Sequence, residues 1–140
     1  TVRLDDGTEV RAGAVVLTAG IGTPNPRPLA TGEEWLGTAL SYFVVDPEAH
    51  RDQDVVIVGG GDSALDWTLN LQPIAKKLTL VHHRDGFRAA LDSVNKMRAL
   101  VAEGKMEFHV ANIKGLNGAD GQLSSLALNT KPAPVWLRCF

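Results

Sequence analysis

The chain has 140 residues, 44% of them hydrophobic and 21% charged, with a formal net charge of −2. That is enough chain for one domain with a core, and the charge sets up no global field toward nucleic acid or an anionic membrane. One cysteine, Cys139, excludes an internal disulfide and a zinc site built on several cysteines, and no apolar run approaches the roughly 20 residues that cross a bilayer.

Residues 1–4 and 9–11 alternate in character around Asp6-Gly7, a strong hairpin-turn dipeptide. The start lacks both an initiator methionine and the basic-then-apolar order of a signal peptide, so a processed chain or a fragment of a longer protein is expected. Residues 14–18, Ala-Val-Val-Leu-Thr, read as a strand buried on both faces. Residues 20–28, with two glycines and three prolines, read as a loop. Residues 40–45 are expected to form a further strand, which Asp46-Pro47 breaks, and residues 46–53 are a polar surface segment.

Residues 54–58, Asp-Val-Val-Ile-Val, have the β-branched character of a central parallel strand. After three glycines, residues 62–71 suit a helix, with Asp62 and Ser63 as its acidic and capping residues and Ala64, Leu65, Thr68 and Leu69 toward the sheet. Pro73 stops it. Residues 78–81 are the next strand. Residues 92–103 form a second helix, with Val94, Met97, Leu100 and Val101 on one face and Gly104 as its stop. Residues 106–110 are a third strand, and residues 123–129 and 135–138 are strands around a turn at 131–134. Strand, helix, strand, helix, strand from residue 54 predicts a parallel sheet with right-handed crossovers.

The segment Gly59-Gly60-Gly61-Asp62-Ser63-Ala64 fits G-x-G-x-x-A, placed between a strand and a helix. Gly59 would permit the tight turn, Gly61 would let backbone approach a pyrophosphate, and Ala64 would let the helix pack closely on the strand. The amide end of the helix then attracts phosphate. A glycine-rich turn without a ligand is the bland alternative. The second strand runs into His82-His83-Arg84-Asp85-Gly86-Phe87-Arg88. A site for NAD puts an acid at this strand end, toward the adenosine ribose. Here Arg84 and Arg88 would instead suit the 2′-phosphate of NADP. Asp85 could orient Arg84 or His82. Adjacent strand histidines point to opposite faces, so His82 and His83 are not read as metal ligands, and no metal is expected. Trp35, Trp67 and Trp136 read as packing residues, and His50 and His109 as residues without chemistry.

With both motifs in place, residues 54–109 resemble the NADPH-binding domain of thioredoxin-reductase-like flavoproteins, most closely the ferredoxin (flavodoxin)–NADP⁺ reductase branch. The stretches that carry the likeness are DVVIVGGGDSALDW (54–67), LTLVHHRDGFRAA (78–90) and DSVNKMRALVAEGK (92–105). Residues 14–29 resemble the strand and loop that close the first part of that family's FAD domain. The resemblance implies an α/β fold: a Rossmann-like three-layer domain with a central parallel sheet and an added β-meander, preceded by a partial FAD-domain segment. It implies residues 1–39 as that segment and 40–140 as an NADPH-binding domain that is C-terminally incomplete.

By the same resemblance, hydride passes from NADPH to FAD and electrons pass to ferredoxin or flavodoxin, or the reverse. Gly59, Gly60, Gly61, Asp62, Ser63 and Ala64 would line the pyrophosphate, His82, Arg84 and Arg88 would hold the 2′-phosphate, and Gly20 and Gly22 would lie against FAD. The family's usual H-R-R is His82-His83-Arg84 here, so His83 brings less charge and a pH-dependent NADPH affinity. Thr23-Pro24-Asn25 lacks an aromatic often found near the flavin, the FAD domain's N-terminal G-x-G-x-x-G is absent, and the chain ends at Phe140 before the family's C-terminal G-D segment. No catalytic acid, base or nucleophile is expected, because the cofactors carry the chemistry. The likeness implies homodimers; the single cysteine suits a reducing cytoplasm, and the charge balance predicts no nucleic-acid or membrane partner. Thioredoxin reductase is the alternative within the class, but it needs a C-x-x-C pair before the second glycine loop, and residues 38–53 hold no cysteine. A non-catalytic NADP-binding module or an inactive fragment is the alternative outside it.

Overall fold

The computed structural model describes residues 1–16 and 27–130, together with the backbone of residues 135–138. The chain opens with a short antiparallel hairpin of β1 (Val2–Arg3) and β2 (Glu9–Val10). Leu4 and Thr8 close it around Gly7, and the Asp6 carboxylate accepts the Thr8 amide. The expected strand at 14–18 is not formed at residues 14–16, where Val15 and Val16 are exposed; residues 17–18 lie outside the described ones.

The strand expected at residues 40–45 is also absent. Leu40 makes a single bridge to Leu36 after a 3₁₀ turn at Glu33–Trp35, and residues 41–45 bend without pairing. The apolar run Tyr42-Phe43-Val44-Val45 is instead split between surface and core: Val45 and Phe43 are exposed, while Val44 packs against the core. A sequence run without alternation does not say which neighbour it will find. Residues 47–50 form a 3₁₀ turn with Asp46 capping it through the Glu48 amide.

From residue 54 the alternation holds. The elements are β3 (Asp54–Val58), α1 (Asp62–Leu71), β4 (Lys77–His82), α2 (Leu91–Ala102) and β5 (Glu107–Val110). The three strands form a parallel sheet in the order β3-β4-β5, with Val58 opposite Val81 and His82 opposite Val110. The centre strand β4 is therefore paired along both edges, and residues 78–82 are all buried. Period 2 decides which face each residue serves. Leu78 and Leu80 join Leu65 and Leu71 of α1 and Met97 of α2 in one core. Val81 faces the other way and packs with Ala111 and Leu128. Each of the buried leucine, valine and methionine side chains contributes about 1.5–3 kcal/mol.

Leu128 belongs to the third layer, an antiparallel meander of β6 (Asn112–Ala119), β7 (Gln122–Asn129) and β8 (Val135–Arg138). Helices, parallel sheet and meander make the expected three layers. Strand β6 was not expected: its sequence, Asn-Ile-Lys-Gly-Leu-Asn-Gly-Ala, is rich in residues depleted from strands. Pairing supplies what propensity lacks, with two register irregularities at Ile113/Gly115 and Asn117/Gly118. Asp120-Gly121, both at positive φ (52° and 76°), turns the chain between β6 and β7, as a D-G dipeptide does in a two-residue hairpin.

Helix limits agree with the sequence within a residue or two. Thr68 is fully buried, and its hydroxyl is satisfied there by donating to the Ala64 carbonyl at 2.7 Å. Gly104, at φ 68°, ends α2 as expected. Trp67 packs against the main core. Cys139 and the side chain of Trp136 lie outside the described residues.

Candidate functional site

The glycine bend is at the carboxyl end of β3. Gly59 adopts φ 153° and its amide donates to the Val81 carbonyl at 3.0 Å, one step past the last paired residue. A Cβ there would come within 2.9 Å of the Ala64 Cβ, so Gly59 and Ala64 together set how closely α1 starts against the strand. Gly60 is buried, and a Cβ on it would overlap the His82 ring. Gly61 differs: it is the helix N-cap at φ −98°, and the nearest atom to an added Cβ is the Arg88 carbonyl oxygen at 3.9 Å. Space is left on its outer side.

Helix α1 begins with no side-chain cap. Ser63 does not cap it, contrary to expectation, and neither does Asp62. The Asp62 carboxylate reaches 28 residues along the chain and accepts the Ala90 amide at 2.8 Å. The first-turn amides of α1 are thus left with no protein side chain on them, which is the arrangement that attracts an oxyanion.

Residues 82–90 are tied to this bend. The Arg88 amide donates to the Gly60 carbonyl at 2.7 Å, and Gly61 and Arg88 form an isolated parallel bridge. Phe87 anchors the segment, with its ring 5.5 Å from that of His82 and 5.3 Å from that of Phe108. Either side of this apolar anchor, His83, Arg84 and Arg88 are exposed. Neither Arg84 nor Arg88 has an ion-pair partner among the described residues. Asp85 orients neither Arg84 nor His82; it pairs with Arg98 of α2 at 3.1 Å.

His82 is placed apart from these exposed side chains. It is only 7% exposed, its ring lies under Gly60, and its Nε2 has no hydrogen-bond partner. Burial holds its pKa below the usual imidazole range; the neighbouring His83 and Arg84 push the same way, while the Gly86 backbone pulls it up. The ring is therefore neutral at pH 7.

Beside His83, one strand further over, lie residues that the sequence analysis did not single out. A cleft of about 430 Å³ opens at the carboxyl ends of β4 and β5, lined by His83, Val110, Ala111, Asn112 and Asn129. Ligands of open α/β sheets bind outside the carboxyl ends of the strands, so the residues just after β5 were the available signal. Gly20 and Gly22 lie outside the described residues. No group of three or more potential metal ligands occurs among the described residues, and among them no helix is long and apolar enough to cross a membrane.

Comparison with known proteins gives a consistent result. The family model for pyridine nucleotide-disulphide oxidoreductases matches residues 54–129. The chain is 51% identical over 129 residues to a ferredoxin–NADP reductase of Bradyrhizobium sp. (strain BTAi1), covering 91% of this chain and 38% of that protein. It is 53% identical over 114 residues to a ferredoxin–NADP reductase of Nocardioides sp., covering 81% and 34%. A thioredoxin reductase from Streptococcus pyogenes superposes with a TM-score of 0.70 at 33% identity, covering 82% of this chain and 39% of that one. The chain thus spans well under half the length of these relatives.

Proposed function

The chain belongs to the pyridine nucleotide-disulphide oxidoreductase family, and from that premise we propose that it holds NADPH for a flavin-dependent reductase that exchanges electrons with ferredoxin or flavodoxin. The observation that carries this reading is the uncapped amide end of α1 behind Gly61, hydrogen-bonded through Gly60 to the segment that bears Arg88. Backbone amides there suit a diphosphate, and Arg84 and Arg88 suit a further phosphate on the ribose. The cleft beside His83 has the volume for an adenosine group, with Asn112 and Asn129 as polar edges. His82 would act from below, as packing under Gly60.

When bound, the dinucleotide supplies a hydride from its nicotinamide. The part left to this chain is to bind and orient it: no side chain here acts as acid, base or nucleophile in this reading. Residues 1–39 would belong to the FAD-binding part and residues 40–140 to the NADPH-binding part, with Gly20 and Gly22 against the flavin. The parent enzyme would be a dimer working in the cytoplasm.

A thioredoxin-reductase activity is the second reading, favoured by the likeness to the Streptococcus pyogenes structure. The sequence of residues 38–53, without cysteine, speaks for the ferredoxin reading. Calorimetric titration of the purified chain with NADP⁺ and NAD⁺ at two pH values tests the proposal. It requires saturable NADP⁺ binding that is tighter than NAD⁺ binding. Equal affinities would remove the 2′-phosphate role of the arginines, and no binding would remove the site.

A further inference from the structure

An acid at the first position of α1 is a puzzle for a diphosphate site. A carboxylate at a helix N-terminus favours the helix dipole, but it competes with and repels an incoming phosphate. The Asp62 side chain is committed elsewhere: Oδ1 takes the Ala90 amide at 2.8 Å. Ala90 is the residue before α2, and α2 has no side-chain cap of its own. The bond therefore joins the starts of two helices that are 28 residues apart in sequence.

This bond is one of two links between residues 60–62 and 88–90. The other is the Gly61–Arg88 bridge, to which the Arg88 amide bonded to the Gly60 carbonyl at 2.7 Å belongs. The bridge passes through the backbone of Arg88 and holds one point. The Asp62 link is the one made by a side chain, and it holds the segment a second time, two residues on. Two points fix the direction of a short extended segment where one leaves it able to pivot. The exposed Arg88 side chain, with no ion pair among the described residues, has nothing else to aim it.

We propose that Asp62 is a positioning residue: its carboxylate latches residues 88–90 to the glycine bend and thereby sets how strongly the chain prefers a 2′-phosphorylated dinucleotide over the unphosphorylated one. The inference rests on the dinucleotide reading above and deepens it. Asp62 does not touch the ligand in this role. Its charge repels the diphosphate that both dinucleotides share, and its geometry favours one of them.

Charge and geometry are separated by two substitutions in the purified full chain. Asp62→Asn removes the charge but keeps an oxygen that can accept the Ala90 amide; Asp62→Ala removes both. Affinities for NADP⁺ and NAD⁺ are measured by calorimetry, and exchange of the Ala90 amide with deuterium is measured without any nucleotide. The latch requires the NADP⁺ to NAD⁺ affinity ratio to fall by about fivefold in Asp62→Ala, part of the contribution of a charge-assisted contact, and to stay near wild type in Asp62→Asn. It also requires Ala90 to exchange faster in Asp62→Ala alone. Both variants shifting the two affinities alike, with the ratio unmoved, would overturn the proposal. So would Ala90 exchange that is unchanged in Asp62→Ala. A wild-type chain that binds neither dinucleotide would sink the site reading and the selectivity claim with it, and the Ala90 exchange would then report on the latch by itself.

Discussion

Gly60→Ala is the perturbation whose size follows most directly from the geometry. An added Cβ would overlap three atoms of the His82 ring, where ordinary contact lies at 3.4–4 Å. The ring must therefore retreat by about 1 Å or push the bend outward, a typical overpacking displacement. It has little room to do so: it is 7% exposed, with the His83 ring 4.2 Å away and the Phe87 ring 5.5 Å away. Overpacking of this kind costs about 1–3 kcal/mol. Urea unfolding followed by tryptophan fluorescence should show the midpoint fall with the slope unchanged. His82→Ala alone should also destabilise, by leaving a void. The double variant should be more stable than the sum of the two losses by about 1 kcal/mol or more, because deleting the ring removes the obstacle. Strict additivity of the two substitutions would refute the claim that His82 is what Gly60 makes room for.

Gly61→Ala should behave in the opposite way. With 3.9 Å to the nearest atom and φ −98°, it should leave stability within about 0.5 kcal/mol of wild type, yet calorimetry should show NADP⁺ affinity reduced at least about tenfold, because the methyl would stand where a diphosphate must come close. Arg84→Ala should cost NADP⁺ about 1.5–3 kcal/mol of binding, roughly 10- to 150-fold, with NAD⁺ little changed. The depressed pKa of His82 makes the unfolded chain the better proton binder. Its contribution to stability is complete above about pH 6.5 and is lost as pH falls below that value, at no more than about 1.4 kcal/mol per pH unit. Unfolding midpoints at pH 7.5 and 5.5 should differ in wild type and differ less in His82→Gln.

The parallel unit was legible because its signals are local and redundant. Asp54–Val58 is a parallel strand as its β-branched run predicts, but it lies at an edge of the described sheet and not at its centre, because residues 77–82 take the middle place; Gly104 marked the end of α2, and the strand–glycine–helix order left one topology. The run at 40–45 misled because an apolar stretch without periodicity fits a strand, a loop lid or a core plug equally well. The strand β6 was hidden because glycine and asparagine are tolerated there only through pairing with β7, a partner that propensity does not include. The Asp120-Gly121 turn was the overlooked clue to it.

What the amino-acid order determined alone was the glycine bend and its register: three glycines after an apolar strand, a small residue at 64, and cationic side chains at the tip of the next strand. Contacts between residues a turn or two apart are enough for that. Only the tertiary structure decided which side chains stand on the surface of the bend and which support it. Arg84 and Arg88 are outside, His82 is beneath Gly60, and Asp62 is turned away to Ala90. Those assignments depend on how two βα units, 28 residues apart in the chain, are set side by side, and the free energy that sets them there comes from the burial of Leu65, Leu80 and Met97 in the shared core.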